Sequence, residues 1–202
     1  MPAHKFYGGR KTRIGTIKET GFDLGGRGHG HSERVTAKIG SKSVTLAEKR
    51  FPHAEKVLPR MQADLKARNV FVLNELRKLG LNAVPTARFA IAEGQSWSSG
   101  RQIMTDLSKG GKFRVIDYAD EGRKLNPEAA KVRNIREIEE QIEKETRTAK
   151  SHGFNLMGFE WLIAVDPKTN SGKAFIADVK HTLVSPEQNS RYFEWKKKLR
   201  EE

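Results

Sequence analysis

The stretch KAFIADVKHT, residues 173–182, holds side chains whose types and spacing could carry out chemistry. A short apolar run leads into Asp178, and Lys180 follows two positions later. A carboxylate at the end of a buried strand is a usual ligand of a divalent metal ion, because hard cations prefer oxygen donors. Such an ending suits two kinds of site. In one, Asp178 binds the magnesium ion of ATP; in the other, Asp178 and Lys180 act in cleaving a nucleic-acid backbone.

A glycine-rich segment lies far upstream, in LGGRGHGHSERV at residues 24–35. Gly26, Gly28 and Gly30 fall between two segments with strand-like patterns. Because glycine has no Cβ, backbone N–H groups in such a segment can approach a phosphate closely. A lysine on the next strand, Lys49, can then neutralise the phosphate charge. This order of residues predicts a nucleotide-binding element.

The same segment resembles the glycine-rich loop of the protein-kinase-like superfamily, G-x-G-x-x-G-x-V. Gly28, Gly30 and Val35 occupy matching positions, and Glu33 stands in place of the third glycine. Fourteen positions beyond Val35, LAEK resembles the V-A-x-K strand of that family. The resemblance therefore gives Lys49 the role of the phosphate-binding lysine.

The resemblance implies roles for further residues. Ala47 should share a strand face with Lys49, because side chains alternate with period two along a strand. Glu75, in FVLNELRKLG, is placed to orient Lys49, and Met104, in IMTDLSKGG, lies near the position that packs against adenine. With Asp178 as the metal ligand, the family implies ATP and Mg²⁺ as cofactors.

The resemblance covers about residues 24–182 and implies a fold. That fold is α+β and two-lobed, of the protein-kinase-like type, with a β-rich N-lobe and a reduced, mainly helical C-lobe. Residues 1–13 are predicted to be a basic flexible arm, residues 14–107 the nucleotide-binding N-lobe, and residues 108–202 the C-lobe with its metal-binding hairpin.

The expected catalytic loop departs from the family pattern. SHGFNLMGFEW keeps the His-Gly pair, but Phe154 stands where the catalytic aspartate belongs and Phe159 where the metal-binding asparagine belongs. Asn155 or Glu160 could supply the missing metal ligand if the loop is shifted by a few positions. DVK also replaces the usual D-F-G. The sequence thus supports nucleotide binding, and leaves open an active phosphotransferase with an unknown acceptor or an inactive, binding-only relative.

The second half also resembles the core hairpin of restriction-endonuclease-like nucleases. In that family an acid precedes one strand and the next strand ends in D/E-x-K. Here Glu160 and Asp178 would hold the metal and Lys180 would stabilise the charged transition state, with Glu139 or Glu143 added from the preceding helix. This resemblance covers only about residues 138–182, so it leaves the glycine-rich segment unexplained.

The composition favours a polyanionic partner. Lys and Arg number 38 against 25 Asp and Glu, which gives a formal charge of +13 over 202 residues. Such charge suits a nucleotide, or a protein or nucleic-acid partner bound through a basic surface, so a non-catalytic nucleic-acid-binding protein is a third hypothesis. No apolar run approaches the roughly 18 residues of a membrane span. Together with the absence of cysteine, this predicts a cytoplasmic protein without membrane partners.

Periodicity predicts the elements that must position these residues. Glycine-punctuated strands cover residues 14–51, and a helix covers about residues 58–79 with Gly80 as its stop. A hairpin follows around the loop GQSWSSG. A second helix, capped by Asn126, runs over residues 127–151 and precedes the hairpin that ends at Asp178. A short amphipathic helix is predicted for the C-terminal tail.

Overall fold

The computed structural model describes residues 2–8, 13–25, 31–39, 41–50, 58–119, 124–157, 160–179 and 182–201. The chain divides into two compact units. The first unit is Met1–Asn74, Pro85–Asp106 and Glu194–Glu202, and the second is Glu75–Val84 and Leu107–Phe193. Within the described ranges, no helix combines the length and the apolar character needed to cross a membrane.

Among its described residues, the first unit contains six strands and most of a long helix. The strands are β1 (Ala3–Tyr7), β2 (Arg13–Gly25), β3 (His31–Ile39), β4 (Lys42–Arg50), β5 (Ala87–Ala92) and β6 (Arg101–Thr105). Helix α1 (Pro59–Lys78) connects β4 to β5, and a single 3₁₀ turn, Trp97–Ser99, lies between β5 and β6. The predicted strands after residue 13, the helix over residues 58–79 and the hairpin of β5 and β6 are thereby confirmed.

The six strands form a closed antiparallel barrel in the order β1-β2-β3-β4-β6-β5. The pairing of β1 with β5 closes it, with Phe6 opposite Ala90. Alternate residues of each strand point inward, as the period of two requires. The barrel core consists of Phe6, Ile17, Val35, Ala37, Leu46, Ala90 and Ile103.

Helix α1 ends where the sequence predicts. Gly80 has a φ of +79°, a left-handed conformation that costs glycine little because it lacks a Cβ. The N–H group of Leu81 donates to the carbonyl of Leu76 at 3.2 Å, which satisfies one of the last carbonyls of the helix. A glycine after the last apolar position is therefore a reliable end signal in this chain.

The second unit contains two small sheets and three further helical elements. Its strands are β7 (Arg114–Asp117), β8 (Phe154–Asn155), β9 (Trp161–Val165), β10 (Gly172–Ile176) and β11 (Leu183–Val184). Its helices are α2 (Pro127–Ala130), α3 (Ile135–Ser151) and the first part of α4 (Pro186–Glu201), whose remainder belongs to the first unit. The sheet order is β10-β9-β7, and β11 pairs with β8. The hairpin of β9 and β10 and the C-terminal helix are confirmed.

Helix α3 buries the apolar stripe that its sequence predicts, including Ile138, Ile142 and Ala149. The helix predicted over residues 127–151 is nevertheless interrupted between α2 and α3. Asn134 lies in the interruption, where its side chain accepts a hydrogen bond from the N–H of Gly172 at 2.8 Å and donates to the Gly172 carbonyl at 2.9 Å. These two bonds fix the chain to β10, a contact between distant residues that periodicity does not reveal.

The prediction of a two-lobed protein-kinase-like fold is wrong. The β-rich part is a closed six-stranded barrel, and the second unit holds five strands in two sheets instead of being mainly helical. The flexible arm predicted for residues 1–13 is also wrong over Ala3–Tyr7, which forms β1. Phe6 and Tyr7 are buried, so this strand is held by apolar packing as well as by its two ladders.

Candidate nucleotide site

The glycine-rich segment connects the neighbouring ends of β2 and β3, and Lys49 lies beside those ends. Gly25 pairs with Ser32 across the β2–β3 ladder, and Ser32 pairs with Lys49 across the β3–β4 ladder. Adjacent strands lie about 4.8 Å apart. The backbone of Lys49 is therefore two strand spacings from Gly25. Gly26, Gly28 and Gly30 lie outside the described residues.

Lys49 shares the outer face of the barrel with two of the predicted contact residues. Ala47 lies two positions before Lys49 on β4, and Met104 is directly opposite Ala47 on β6. Ala47 and Met104 are buried, whereas Lys49 is half-buried. Gln102, opposite Lys49, accepts a hydrogen bond from Asn69 of α1 at 3.3 Å. An apolar pair thus adjoins a lysine at the glycine-rich end of the barrel.

Val35 does not join this group. It pairs with Leu46 and lies in the barrel core with 0% exposure, on the opposite face of the sheet from Ala47. The family match placed Val35 against a bound nucleotide, and the strand register corrects that placement. Arg34 occupies the outward position instead, directly opposite Ala47.

Arg34 is a functional candidate that the sequence interpretation missed. Its Nε donates to Oδ2 of Asp106 at 3.1 Å, and its guanidinium lies 4.1 Å from the centre of the Phe22 ring. Asp106 is buried, so Arg34 stabilises a carboxylate that would otherwise be costly to bury. The two residues are 72 positions apart, and no local pattern in the sequence connects them. Arg34 adds a second cation to the face that carries Lys49.

The inward face of the same strands carries an ion-pair network at one end of the barrel. Arg101 donates through Nε to Glu48 at 2.8 Å and also pairs with Glu19 at 3.3 Å, while Arg50 pairs with Glu33 at 2.8 Å. Burial lowers the pKa of Arg101, but the hydrogen bonds and charge of Glu48 outweigh it and raise that pKa overall. A cavity of about 500 Å³ adjoins this network.

His4 and Lys66 are basic groups close to this network, and burial affects both. Burial lowers the pKa of His4, although a hydrogen bond with the Pro2 carbonyl opposes the shift. Burial likewise lowers the pKa of Lys66, with the Glu48 carboxylate opposing it. The neutral forms of these side chains are therefore favoured by the folded protein more than in water.

The predicted partner of Lys49, Glu75, lies in the second unit and is buried. Its carboxylate accepts hydrogen bonds from Lys78 at 2.5 Å and from Arg191 at 2.5 Å. These two cations stabilise the buried charge and tie α1 to α4. The geometry therefore gives Glu75 a structural role within its own unit.

Two of the predicted metal ligands lie side by side in the second unit. The N–H of Asp178 donates to the carbonyl of Glu160 at 3.3 Å, and one oxygen of Asp178, Oδ1, is buried. Glu160 has 0% exposure, and its carboxylate accepts from the N–H of Met157 at 2.6 Å and from the Thr182 hydroxyl. Glu160 is thus engaged as a structural acceptor, which does not fit the role of an open metal ligand.

The remaining candidates of the two metal hypotheses are dispersed. Asn155 is exposed on β8, and Glu143 forms an exposed ion pair with Arg147 at 2.8 Å. Glu139 lies on α3, and Lys180 falls outside the described residues. Within the part of the chain that the structure describes, no group of three or more acidic, histidine or cysteine side chains could hold a metal ion.

Comparison with known proteins does not assign the chain to a family. No known protein-family model matches the sequence. No curated protein sequence matches it significantly. The functional argument therefore depends on the geometry of the site.

Proposed function

We propose that the first unit binds ATP, with the glycine-rich segment and Lys49 contacting its phosphates. The observation that supports this proposal best is the ladder from Gly25 through Ser32 to Lys49. It sets a lysine beside both ends of a segment rich in glycine, which is the combination that phosphate groups require: approachable N–H donors and a nearby cation.

Three residues close to Lys49 form the surroundings of this site. Ala47 and Met104 are a buried apolar pair on the same face, and their packing holds β4 against β6. Arg34, opposite Ala47, is paired with Asp106, so the pair adds no net charge there. Mg²⁺ enters this proposal as the ion that ordinarily accompanies ATP. Glu75 and Asp178 belong to the second unit, and we give them no role in this site.

The proposal is for binding without phosphoryl transfer. Phe154, which stands where a catalytic aspartate would be expected, has 1% exposure and pairs with Val184. Its side chain contributes to packing in the second unit, and it has no group that could accept a proton from a phosphate acceptor. Binding therefore explains the residues better than catalysis does.

Thermal unfolding of the full chain tests the proposal. ATP with magnesium at about 100 times its dissociation constant should stabilise the protein by about 2.7 kcal/mol, because the ligand binds only the folded state. Lys49→Ala should reduce the affinity by about 10- to 100-fold, as expected for a lost hydrogen bond to a charged group.

Lys42→Ala is the matched control, because Lys42 is an exposed lysine at the other end of β4. It should keep the ATP-dependent shift of the wild type. Absence of any shift in the wild type, or an equal loss in both variants, would contradict the proposal.

A further inference from the structure

Positive charge is concentrated in the barrel unit. The residues assigned to the first unit include 21 Lys and Arg and 11 Asp and Glu, a formal +10. Those of the second unit include 17 and 14, a formal +3. A single charged ligand such as ATP does not need so broad an excess, so we asked which surface of the barrel carries it.

Strand register separates the charges of β1–β4 by face. Residues that pair with core residues point inward, and their neighbours point outward. Among the described residues of these strands, the outward positions hold five cations and no carboxylate: Lys5, Lys18, Arg34, Lys38 and Lys49. The acidic residues all take inward positions: Glu19, Asp23, Glu33 and Glu48.

Inward cations pair with three of these four acids, because Arg101 and Arg50 form ion pairs with Glu48, Glu19 and Glu33. On the outward side, Arg34 is likewise paired with Asp106, the residue after β6. Charge that is paired at close range contributes little to the field outside the barrel. The exposed lysines Lys18 and Lys38 therefore give the outward side of these strands a positive potential.

The exposed lysines lie among hydroxyl groups. Lys18 is in one cross-strand row with Thr36 and Thr45, and Lys38 is in the adjacent row with Thr16 and Ser43. Lys18, Lys38, Ser43 and Thr45 are exposed. We call this surface, with Phe22, the outer strand face. Lysine and hydroxyl side chains are the usual partners of nucleic-acid phosphates.

Phe22 supplies a different kind of contact at the edge of these rows. Its side chain is 52% exposed, and Arg34 covers it from a distance of 4.1 Å. An exposed aromatic ring supported by a cation is suited to stack on an unpaired base. Base pairs in a duplex are already stacked on each other, so this ring favours a single strand.

We infer that the outer strand face binds single-stranded nucleic acid, with phosphates on Lys18 and Lys38 and a base on Phe22. This inference does not require ATP binding, because its contact residues Lys18, Lys38 and Phe22 lie outside the nucleotide site, and Arg34 is the residue that adjoins both sites. The net charge predicts a polyanionic partner, and this inference assigns the binding of that partner to one surface, the outer strand face.

Fluorescence anisotropy with labelled 15-nucleotide oligo(dT) and oligo(U) tests the inference on the full chain. Affinity should fall as salt rises, because phosphate contacts release counterions. Lys18→Glu/Lys38→Glu should weaken binding and reduce the salt slope by about 1.4, since each contact with a single strand contributes about 0.7. Lys144→Glu/Lys168→Glu, with the same charge change at exposed positions of the second unit, should retain most of the affinity.

Phe22→Ala separates stacking from charge. It should weaken oligonucleotide binding about 10-fold while leaving the salt slope unchanged. Ile14→Ala is its control, because Ile14 is a 65% exposed apolar residue on the same strand and the same side of the sheet. Circular dichroism of each variant verifies that the barrel is folded.

Four outcomes would overturn the inference. The first is no oligonucleotide binding at 50 mM salt, and the second is tighter binding to a 15-base-pair duplex than to either single strand. The third is that both charge variants lose affinity equally, which would indicate a diffuse charge effect. Binding to phosphatidylserine vesicles without binding to oligonucleotides would likewise reject it in favour of a membrane surface.

Discussion

In the described part of the chain, the buried carboxylates Glu145 and Glu160 are each held by specific hydrogen-bond donors. Glu145 accepts from the N–H and the side-chain amide of Asn82 at 2.7 Å each, and Glu160 accepts from Met157 and Thr182. Burying a carboxylate without such donors would be costly. The sequence predicts that acidic residues such as Glu160 bind a metal ion. In the structure these carboxylates accept hydrogen bonds that hold neighbouring segments of the chain in place.

The Thr182–Glu160 bond gives a prediction at this scale. Thr182→Val keeps the shape of a side chain with 0% exposure but removes the hydroxyl donor to Glu160. The free energy of unfolding in urea should fall by about 1–3 kcal/mol, because a buried acceptor loses its partner. Thr148→Val, at a half-buried position of α3 where the hydroxyl donates only to the Lys144 carbonyl of its own helix, should change it by less than about 0.5 kcal/mol. Equal effects would contradict the structural role of Glu160.

His4 gives a prediction for pH. Burial lowers its folded pKa, so below the unfolded value of about 6.5 the unfolded chain takes up a proton that the folded chain resists. The contribution to stability is therefore full above that pH and is lost as the pH falls toward the folded pKa. His4→Gln should reduce the decline in unfolding free energy between pH 7 and pH 5. An identical decline in His4→Gln and in the wild type would refute the assignment.

The sequence identifies some residues of the candidate site, but it does not give the cross-strand pairing that decides which of them share a face of the sheet. Ala47 and Lys49 share a face because they are two positions apart on one strand, a local relation that sequence reveals. Whether Val35 shares that face depends on its pairing with Leu46 on another strand. Arg34 and Asp106 meet only because β3, β4 and β6 are neighbours. Cross-strand relations of this kind require the topology.

Among the secondary-structure elements, closure of the barrel depends on β1, a short strand that the local sequence pattern does not predict. β1 has five residues, and its closing partner β5 begins 80 positions after the end of β1. Local patterns predict the other five barrel strands because each adjoins a glycine-rich turn or a hairpin loop, whereas they do not predict β7, β8 and β11 of the second unit. A basic, glycine-containing start is typical of an arm, and only long-range pairing distinguishes a barrel strand from an arm.

Gly100 gives a prediction for the barrel wall. A Cβ at this position would lie 1.9 Å from Cζ of Phe89, a ring with 0% exposure. Gly100→Ala should lower the unfolding free energy by about 1–3 kcal/mol or more through overpacking. Phe89→Leu removes the ring, so the double variant should be less destabilised than the two single losses added together. Strict additivity in urea unfolding would contradict this packing.

For the whole molecule, composition predicts a polyanionic partner, and the strand register shows which face of β1–β4 carries the outward cations. The +13 charge indicated polyanions, and the strand register separates outward cations from inward acids. Periodicity and turn residues predicted most of the hairpins and helices in their order along the chain, but order in sequence does not determine whether a sheet closes. Closure by β1 is what makes the predicted fold wrong.

The proposed role of Lys49 is to recognise the phosphates of ATP, and calorimetric titration of the full chain with ATP and with AMP measures that recognition. The wild type should bind ATP more tightly than AMP, because only ATP carries the added phosphate charge. In Lys49→Ala that preference should shrink by about 10-fold or more, as a charge-assisted contact is lost. The same preference in both proteins, or no saturable heat of ATP binding in the wild type, would contradict the account.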